Sequence, residues 1–350
     1  MAKSKSSTRL LLATALLALP PAFAAWSWKR RGPTEDTRTL LVKKGATVDQ
    51  VATQLERDGV IRSAALFKLW ARARQLQVIR GEYTFAPRAS LSDITGKLRR
   101  GEVTWTNVSI PTGAHAWSVQ KRVAAFVPED VFWTLWKSPM LARAAGFPDA
   151  PSLEGLVAPA TYRFNHALEP EEVMLQLVEA FARQSKPGLE GGELGPYETL
   201  ILASLAEKET NVPEELPKVA GVYALRLRKG MRLQCDPTSL YARWLRGDLR
   251  FTAPMKADVE APHPFNTYTV AGLPPTPIAI PSPAAVEAAK APLIDGSLYF
   301  VATGTGGHNF SKTLGQHNRY VAAYRAELAR QARAARLAAT RPAAKGQAAS

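Results

Sequence analysis

An acidic residue on the apolar side of a predicted helix is the strongest chemical signal in this chain. Residues 200–210 are typical of a helix, and at roughly 100° per residue Ser204, Glu207 and Lys208 share one polar arc. Glu209 falls on the opposite side, among leucines. A carboxyl group in apolar surroundings has a raised pKa, as a general acid near neutral pH requires. A structural role for Glu209 as a salt-bridged or helix-end residue is the open alternative, because perturbed carboxylates also serve structure.

A second carboxyl group, Asp236, follows in the segment Gln-Cys-Asp-Pro-Thr. It could act opposite Glu209 as the second acid of a two-carboxylate site. Asp before Pro is also a common helix-start arrangement, so Asp236 and Thr238 are candidates for either capping or substrate binding. Tyr241 is either a platform for a ligand or a core residue.

Two loops add candidate binding groups. Asn266 and Tyr268 precede a Pro-rich segment, and their amide and hydroxyl groups can hydrogen-bond to a polar ligand; a surface loop with an aromatic anchor is the alternative. The segment Gly-Thr-Gly-Gly-His ending at His308 lacks the Lys-Ser/Thr of a phosphate-binding loop, so it predicts a hairpin-like turn with His308 near a groove. His308 and His317 are too isolated from other ligands to predict a metal site.

Composition narrows the class of protein. The chain has 350 residues, 46% apolar and 21% charged, which is enough to bury a core and argues against wholesale disorder. The net charge of +15 favours anionic neighbours, but no nucleic-acid-binding motif accompanies it, so nucleic acid is not predicted as a partner. A single cysteine, Cys235, excludes an intrachain disulfide. No metal or other cofactor is predicted.

The N-terminal region predicts export from the cytoplasm. Residues 10–28 form an apolar stretch long enough to cross a membrane, preceded by a basic tail over residues 1–9 and followed by a linker over residues 29–38. Ala22-Phe23-Ala24 also fits a signal-peptide cleavage site, so an anchor and a cleaved signal are both open, with the anchor favoured.

The remaining pattern predicts an α+β fold with two globular pieces. The first piece reads strand, two helices, strand and helix, with Thr47 and Gly59 as the caps of its first helix. The second piece is larger and includes predicted helices at residues 112–126, 128–143 and 171–184. A strand at 297–302 and a closing helix at 317–336 complete it, and from Ala334 we expect a frayed helix end followed by disorder.

Four blocks together resemble the MltG/YceG family of bacterial, membrane-anchored endolytic murein transglycosylases. They are LASLAEKET from Leu202, GMRLQCDPTSLY from Gly230, PFNTYTVAGLPPTPIAIP from Pro264 and LYFVATGTGGHNFSKTLGQHNRY from Leu298. The resemblance implies an α+β LysM-like, glycan-binding module at residues 39–108, a YceG-like catalytic domain at 109–332 and a basic tail at 333–350. A plain α+β spacer is the alternative for the first of these.

The resemblance also implies the chemistry. Glu209 would be the catalytic acid of a lyase-type reaction on nascent peptidoglycan glycan strands, leaving 1,6-anhydro-N-acetylmuramic acid ends and limiting strand length. Glu207 and Lys208 would support it, Glu207 by pairing with Lys208 or another cation, and a swap of Glu207 and Glu209 stays open. Asp236, Thr238, Tyr241, Asn266, Tyr268 and His308 would lie near substrate. The expected location is the inner membrane, in a single pass with the catalytic domain outside the cytoplasm and peptidoglycan synthases as neighbours.

Departures from the family pattern affect the glycan contacts. Ala158 stands where an aromatic residue is usual, Ala160 where an acid is usual, and Ile280 where an asparagine is common. Two rival functions are also open: a muramidase-type hydrolase using Glu209 with Asp236, and a non-enzymatic adaptor that binds the cell wall.

Overall fold

Two units make up the described part of the chain. The computed structural model describes residues 28–250 and 253–340, without the side chains of residues 337–340. The N-terminal unit runs to Val108 and also takes in Arg163–Val173; the C-terminal unit comprises Ser109–Tyr162 and the chain from Met174 onward. Both mix helices and strands, so the predicted α+β class is confirmed. The return of Arg163–Val173 to the first unit is a feature that the sequence pattern did not predict.

The N-terminal unit is a two-stranded sheet with three helices. Its elements are β1 (Arg38–Val42), α1 (Val48–Arg57), α2 (Ala64–Ala73), β2 (Gly81–Phe85) and α3 (Leu91–Arg100). The strands are antiparallel, with Leu40 opposite Tyr83. Alternate residues of β2 are buried, as a strand with one face on a core requires.

Local sequence signals start the helices of this unit. Thr47 and Gln50 form a reciprocal capping box at the start of α1, and Ser90 and Asp93 form another at the start of α3. Gly59 follows α1 with φ +69°, the left-handed conformation that glycine adopts most easily, so the predicted caps of α1 are supported. Leu40, Phe67, Tyr83, Ile94 and Leu98 are among the fully buried residues of the core.

A second two-stranded sheet joins β3 (Thr106–Ile110) and β4 (Ala160–Phe164). The C-terminal unit is otherwise mostly helical. Its elements, with α7 beginning in the preceding unit, are α4 (Ala116–Val123), α5 (Glu129–Leu135), α6 (Pro139–Ala144), α7 (Pro170–Gln184), α8 (Pro196–Glu209), α9 (Leu216–Arg228), α10 (Asp236–Leu245), α11 (Lys256–Glu260), α12 (Pro283–Lys290), β5 (Tyr299–Ala302), β6 (His308–Ser311) and α13 (Leu314–Thr340).

Two predicted elements were wrong in extent. The helix predicted at residues 128–143 is split into α5 and α6, because Ser138 caps a new helix and Pro139 occupies its first position. The closing helix continues to Thr340, past the predicted frayed end at Ala334. The Ala- and Arg-rich sequence explains this extension, since both residues favour helix. Residues 341–350, the rest of the predicted tail, lie outside the described part.

The hairpin predicted at the Gly-rich segment is confirmed. β5 and β6 are antiparallel, with Tyr299 opposite Ser311. Gly304, Gly306 and Gly307 all have positive φ between 75° and 107°, which residues with a side chain rarely adopt. The loop therefore turns tightly and brings His308 back alongside the first strand.

The predicted membrane segment falls almost wholly outside the described residues, which begin at Trp28. Across residues 28–250 and 253–340, no helix is both long and apolar enough to span a bilayer.

Candidate active site

Glu209 is the last residue of α8 and lines a cleft in the C-terminal unit. The cleft has a volume of about 310 Å³. After Glu209 the chain leaves the helix, since Thr210 is extended with φ −135° and ψ 142°. A carboxylate at the C-terminal end of a helix faces the negative end of the helix dipole, which disfavours its charged form. The cleft is lined by Glu209, Tyr223, Arg226, Leu233, Gln234, Asp236, Tyr268, Tyr299, Phe300, Leu314 and His317.

The helix that carries Glu209 is buried on all sides rather than on one. Every residue from Thr199 to Ala206 is buried. The predicted polar arc is therefore wrong for Ser204, whose hydroxyl donates to the carbonyl of Ile201 (2.7 Å) and accepts from the backbone N–H of Ile278 (3.1 Å). Surrounding segments, not one apolar helix face, shield Glu209, which stays partly exposed at the cleft.

The surroundings of Glu209 favour its protonated form. Burial raises the pKa of its carboxyl above 4.5, and the charge of Asp236 raises it further. Hydrogen bonds act in the opposite direction: the Tyr223 hydroxyl donates to Oε1 at 2.5 Å, and the Cys235 thiol also donates to the carboxyl. Burial also raises the pKa values of Tyr223 and Cys235 well above their usual range, so both stay neutral donors. The Glu209 carboxyl thus has a raised pKa and two neighbouring hydrogen-bond donors.

Arg226, from α9, ties together the segments around the cleft. Its Nε donates to the carbonyl of Leu298 (2.7 Å), and its Nη1 donates to the carbonyl of Leu233 (2.8 Å) and to Oε1 of Gln234 (3.2 Å). Its guanidinium lies 5.1 Å from the ring centre of Tyr299, where a cation and an aromatic ring attract each other. This one buried side chain therefore makes four contacts with other segments of the chain, and these contacts fix the rims of the cleft.

A threonine pair fixes the start of α10. The Thr238 hydroxyl donates to the carbonyl of Cys235 (2.7 Å) and shares a hydrogen bond with the hydroxyl of Thr267 (2.8 Å). The Thr267 hydroxyl also accepts from the backbone N–H of Cys235 (3.0 Å). Thr238 is fully buried, so in this structure it positions Cys235 and Asp236 and is not available to a substrate.

Asp236 and Tyr268 are the two predicted substrate contacts that share the cleft with Glu209. Asp236 begins α10, as its Asp-Pro sequence indicated. The Tyr268 hydroxyl donates to Oδ1 of Asp236 at 2.5 Å. Burial and this contact raise the pKa of Tyr268, so Tyr268 remains a neutral donor.

Tyr241 and Asn266 lie beneath the surface instead. Tyr241 is 4% exposed, and its hydroxyl donates to Oε2 of the fully buried Glu154 at 2.7 Å. Asn266 is fully buried, and its amide nitrogen donates to three backbone carbonyls of the segment that includes α11, at 2.8–3.0 Å. Neither polar group is free for a sugar in this structure, because each is already bonded to the protein.

His308 forms part of a separate polar cluster. Its Nδ1 lies 2.7 Å from Oε2 of Glu215, and its backbone N–H donates to Oε1 of the same residue at 2.7 Å. Thr210, which directly follows Glu209, donates its hydroxyl to Oε2 of Glu215 at 3.0 Å. His308 therefore ties β6 to the end of α8 through Glu215.

Glu207 and Lys208 hold loops against α8. Oε2 of Glu207 accepts from the backbone N–H (3.0 Å) and the hydroxyl (2.6 Å) of Ser282. Lys208 Nζ donates to the carbonyl of Gly113 (3.2 Å). The hydrogen-bond partner of Glu207 is thus Ser282, and the predicted partner Lys208 interacts with Glu207 through its charge. The physical reason is that Ser282 caps α12, which packs directly against α8.

Sequence reasoning did not single out Tyr223, Arg226 or Cys235 as site residues. Cys235 adjoins Asp236 in the chain, which was a usable signal. Tyr223 is fourteen residues beyond Glu209 on another helix, and its role depends on how α8 and α9 pack. Within the described residues, no group of three or more His, Cys, Asp or Glu side chains is placed to hold a metal ion.

The chain belongs to the YceG-like family, whose model matches residues 40–323. A relative from Bacillus subtilis (strain 168), named endolytic murein transglycosylase, is 28% identical over 81% of this chain and 85% of its own length. One of the same name from Streptococcus pneumoniae (serotype 2, strain D39) is 26% identical; the match spans 81% of this chain but 58% of the pneumococcal protein. The predicted family is therefore confirmed.

A solved structure supports the fold. The crystal structure of the yceG-like protein lmo1499 from Listeria monocytogenes matches 82% of this chain and 99% of its own, with 27% identity and a TM-score of 0.54.

Proposed function

We propose that this protein is an endolytic murein transglycosylase that cuts the β-1,4 bond between N-acetylmuramic acid and N-acetylglucosamine within nascent glycan strands. Membership of the YceG-like family and the named activity of its relatives support the reaction class. One observation carries the assignment of the acid. Glu209 lines a cleft, has a raised pKa and is held by Tyr223 and Cys235, as a general acid requires.

In the first step the Glu209 proton passes to the glycosidic oxygen. The bond between that oxygen and C1 of the muramic acid breaks, and its electron pair stays on the leaving N-acetylglucosamine, which departs with a 4-hydroxyl group. Positive charge develops on the remaining sugar in an oxocarbenium-like state. Glu209 is now a carboxylate, which the Tyr223 and Cys235 donors stabilise.

In the second step the same carboxylate takes the proton of the C6 hydroxyl of the muramic acid. The C6 oxygen attacks C1 and closes a 1,6-anhydro ring, so Glu209 returns to its protonated form and no water is consumed. One carboxyl group is sufficient because the nucleophile belongs to the substrate. The protein must hold the C6 hydroxyl near C1 and keep water away. Asp236, held by Tyr268, lies in the cleft as a partner for the substrate's hydroxyl groups.

Replacing the acid tests the proposal. Glu209→Gln keeps the shape but has no proton to give, so cleavage of uncrosslinked glycan strands should fall by about 10²–10⁴-fold. The matched control is Glu214→Gln, the same change at an exposed acid five residues further along. Mass analysis of the products should show anhydromuramoyl ends. A Glu209→Gln enzyme as fast as the unaltered protein would refute Glu209 as the acid in both enzymatic readings, whereas absence of cleavage by the unaltered protein would leave the wall-binding adaptor.

The rival enzyme is a muramidase-type hydrolase, which the position of Asp236 in the same cleft as Glu209 favours. A hydrolase would use Asp236 as its second carboxylate and water as the nucleophile. It would leave reducing ends in place of anhydro ends. The same product analysis therefore separates the two reactions.

The proposal includes a location. Residues 10–28 anchor the chain in the cytoplasmic membrane, residues 1–9 stay in the cytoplasm, and the catalytic domain acts on the outer side near peptidoglycan synthases. In this proposal residues 39–108 form a LysM-like module that binds glycan. The apolar stretch with its basic flanks supports the anchor. Resistance of membrane-bound protein to extraction by high salt, with protease access from outside only, would test it.

A further inference from the structure

Two clefts of the N-terminal unit lie side by side along α2 and α3. The first has a volume of about 230 Å³ and the second about 150 Å³. Residues 28–33 connect them, since Arg30–Pro33 line the first and Trp28 lines the second. Both helices contribute to both clefts, so the two openings are neighbours on this unit. We call the surface around the two openings the basic face.

Arginines dominate the basic face. Arg30, Arg31 and Arg62 line the first cleft, and Arg74, Arg99 and Arg100 line the second. Among the lining residues, all of which belong to the described part of the chain, none is acidic. Arg100 is also paired with an acid outside both clefts, Glu102. Positive side chains that a folded surface holds close together attract anions from solution. The arginines therefore make this face a binding surface for anions.

Aromatic and aliphatic groups accompany the charge. The rings of Trp28 and Trp70 lie 4.6 Å apart, and the guanidinium of Arg74 lies 4.3 Å from the centre of each. Leu69, next to Trp70 on α2 though outside the lining of both clefts, is 64% exposed. The walls of the first cleft are mostly aliphatic and include Ile61. The face is therefore amphiphilic.

We infer that the basic face binds the anionic phospholipid headgroups of the membrane surface. The inference rests on the proposed anchoring through residues 10–28. Trp28 is both the end of that segment and a wall of the second cleft, so an anchored chain enters the membrane at the basic face. Arginine forks match the oxygens of a phosphate group, tryptophan favours the headgroup layer, and aliphatic walls suit the first carbons of acyl chains.

A phospholipid explains the face better than a wall polymer. Sugar rings need hydroxyl and amide partners, and the carboxylates of stem peptides would explain the arginines but not the aliphatic walls. Free phosphate would explain the arginines but not the exposed Leu69 or the aliphatic walls. Anionic lipid alone accounts for both halves of the surface.

The test uses the full chain in lipid nanodiscs of two compositions: phosphatidylcholine alone, and phosphatidylcholine mixed with phosphatidylglycerol. Amide hydrogen exchange is followed in α2 and α3. We expect slower exchange in the anionic discs, and loss of this protection at high salt because the contact is electrostatic. The ratio of the two exchange rates gives the docking equilibrium.

A double variant supplies the specific test. Arg62 and Arg99 are exposed, and neither has a hydrogen-bond or ion-pair partner among the described residues, so Arg62→Gln/Arg99→Gln should leave the fold intact. Docking should weaken by roughly 25-fold, about five-fold for each arginine. The matched control Lys43→Gln/Lys44→Gln removes the same charge from a different cleft of the same unit and should keep full protection.

Each outcome decides the inference. Equal exchange in neutral and anionic discs, or equal weakening by both double variants, overturns it. Protection caused by added glycan strands or by inorganic phosphate in neutral discs, without an effect of phosphatidylglycerol, also overturns it. Loss of the protein from all discs in high salt would instead refute the anchoring by residues 10–28, so failure of the proposed location is distinguishable from failure of the lipid contact.

Discussion

Removing the Tyr223 hydroxyl should shift the alkaline limb of the pH–activity profile to higher pH. Tyr223→Phe keeps the ring and deletes the donor that lies 2.5 Å from Oε1 of Glu209. That donor stabilises the charged carboxylate, so its loss raises the pKa of Glu209 further. Glu209 must be protonated to begin the reaction, so activity falls as pH rises through its pKa. The alkaline limb of the profile should therefore shift to higher pH.

The size of the shift follows from the strength of the contact. A hydrogen bond to a charged group contributes about 1.5–3 kcal/mol, and about 1.36 kcal/mol corresponds to one pH unit. The retained donor Cys235 and relaxation of the site reduce the effect, so we expect a shift of about one pH unit. The assay is kcat/KM for anhydromuramoyl product formation across a pH series, because this ratio reports the free enzyme.

The control is Tyr299→Phe, which deletes the same group from another tyrosine of the same cleft. It should leave the position of the alkaline limb unchanged, whatever it does to the rate. An alkaline limb that stays in place in Tyr223→Phe, or that moves to lower pH, would refute the assignment of Glu209 as the titrating acid.

Three further changes have defined outcomes. Asp236→Asn removes a charge that raises the pKa of Glu209, so the alkaline limb should move to lower pH, opposite to Tyr223→Phe; pH profiles of the two variants side by side check this. Burial raises the pKa of Glu154 from 4.5 to about 7. The folded protein therefore binds a proton that the unfolded chain releases, and stability declines by roughly 3 kcal/mol as pH rises through that interval. Glu154→Gln should abolish this decline, and urea unfolding below pH 4.5 and above pH 7 measures it; an unchanged slope would contradict the burial of a titrating Glu154. Asn266→Ala leaves buried carbonyls unpaired and should cost about 1–3 kcal/mol in the same assay, whereas Asn211→Ala, at an exposed position, should cost less than about 0.5 kcal/mol.

Local signals in the sequence predicted many of the elements. The helix at Leu91–Arg100 is set by local signals, because Ser90 and Asp93 cap its start and Gly101 ends it in a left-handed conformation. The Gly-rich hairpin is likewise encoded within a few residues. The prediction of one helix over residues 128–143 was wrong because the apolar spacing continues across Ser138-Pro139. At that point the local capping signal prevails over the apolar spacing and starts a new helix.

The candidate site shows the limits of such reasoning. Asp236 and Tyr268 share a cleft with Glu209, whereas Asn266 and Tyr241, which looked equally suited to sugars, are bonded within the interior. Both pairs consist of a tyrosine and a short polar side chain, so residue type does not distinguish them. Only burial, which depends on segments distant in the chain, separates a side chain that can meet a substrate from one that supports a loop.

By itself the sequence determined the α+β class and the family and proposed Glu209 as the acid, since these depend on residue types, short spacings and the order of motifs. The tertiary structure alone decided that Tyr223 and Cys235 hold that acid, that Thr238 fixes the loop beside it, and that six arginines gather on one face of the N-terminal unit. The physical reason is range. Helix caps and turns act over three or four residues, whereas desolvation and hydrogen bonding at a site depend on whichever segments the folded core brings together.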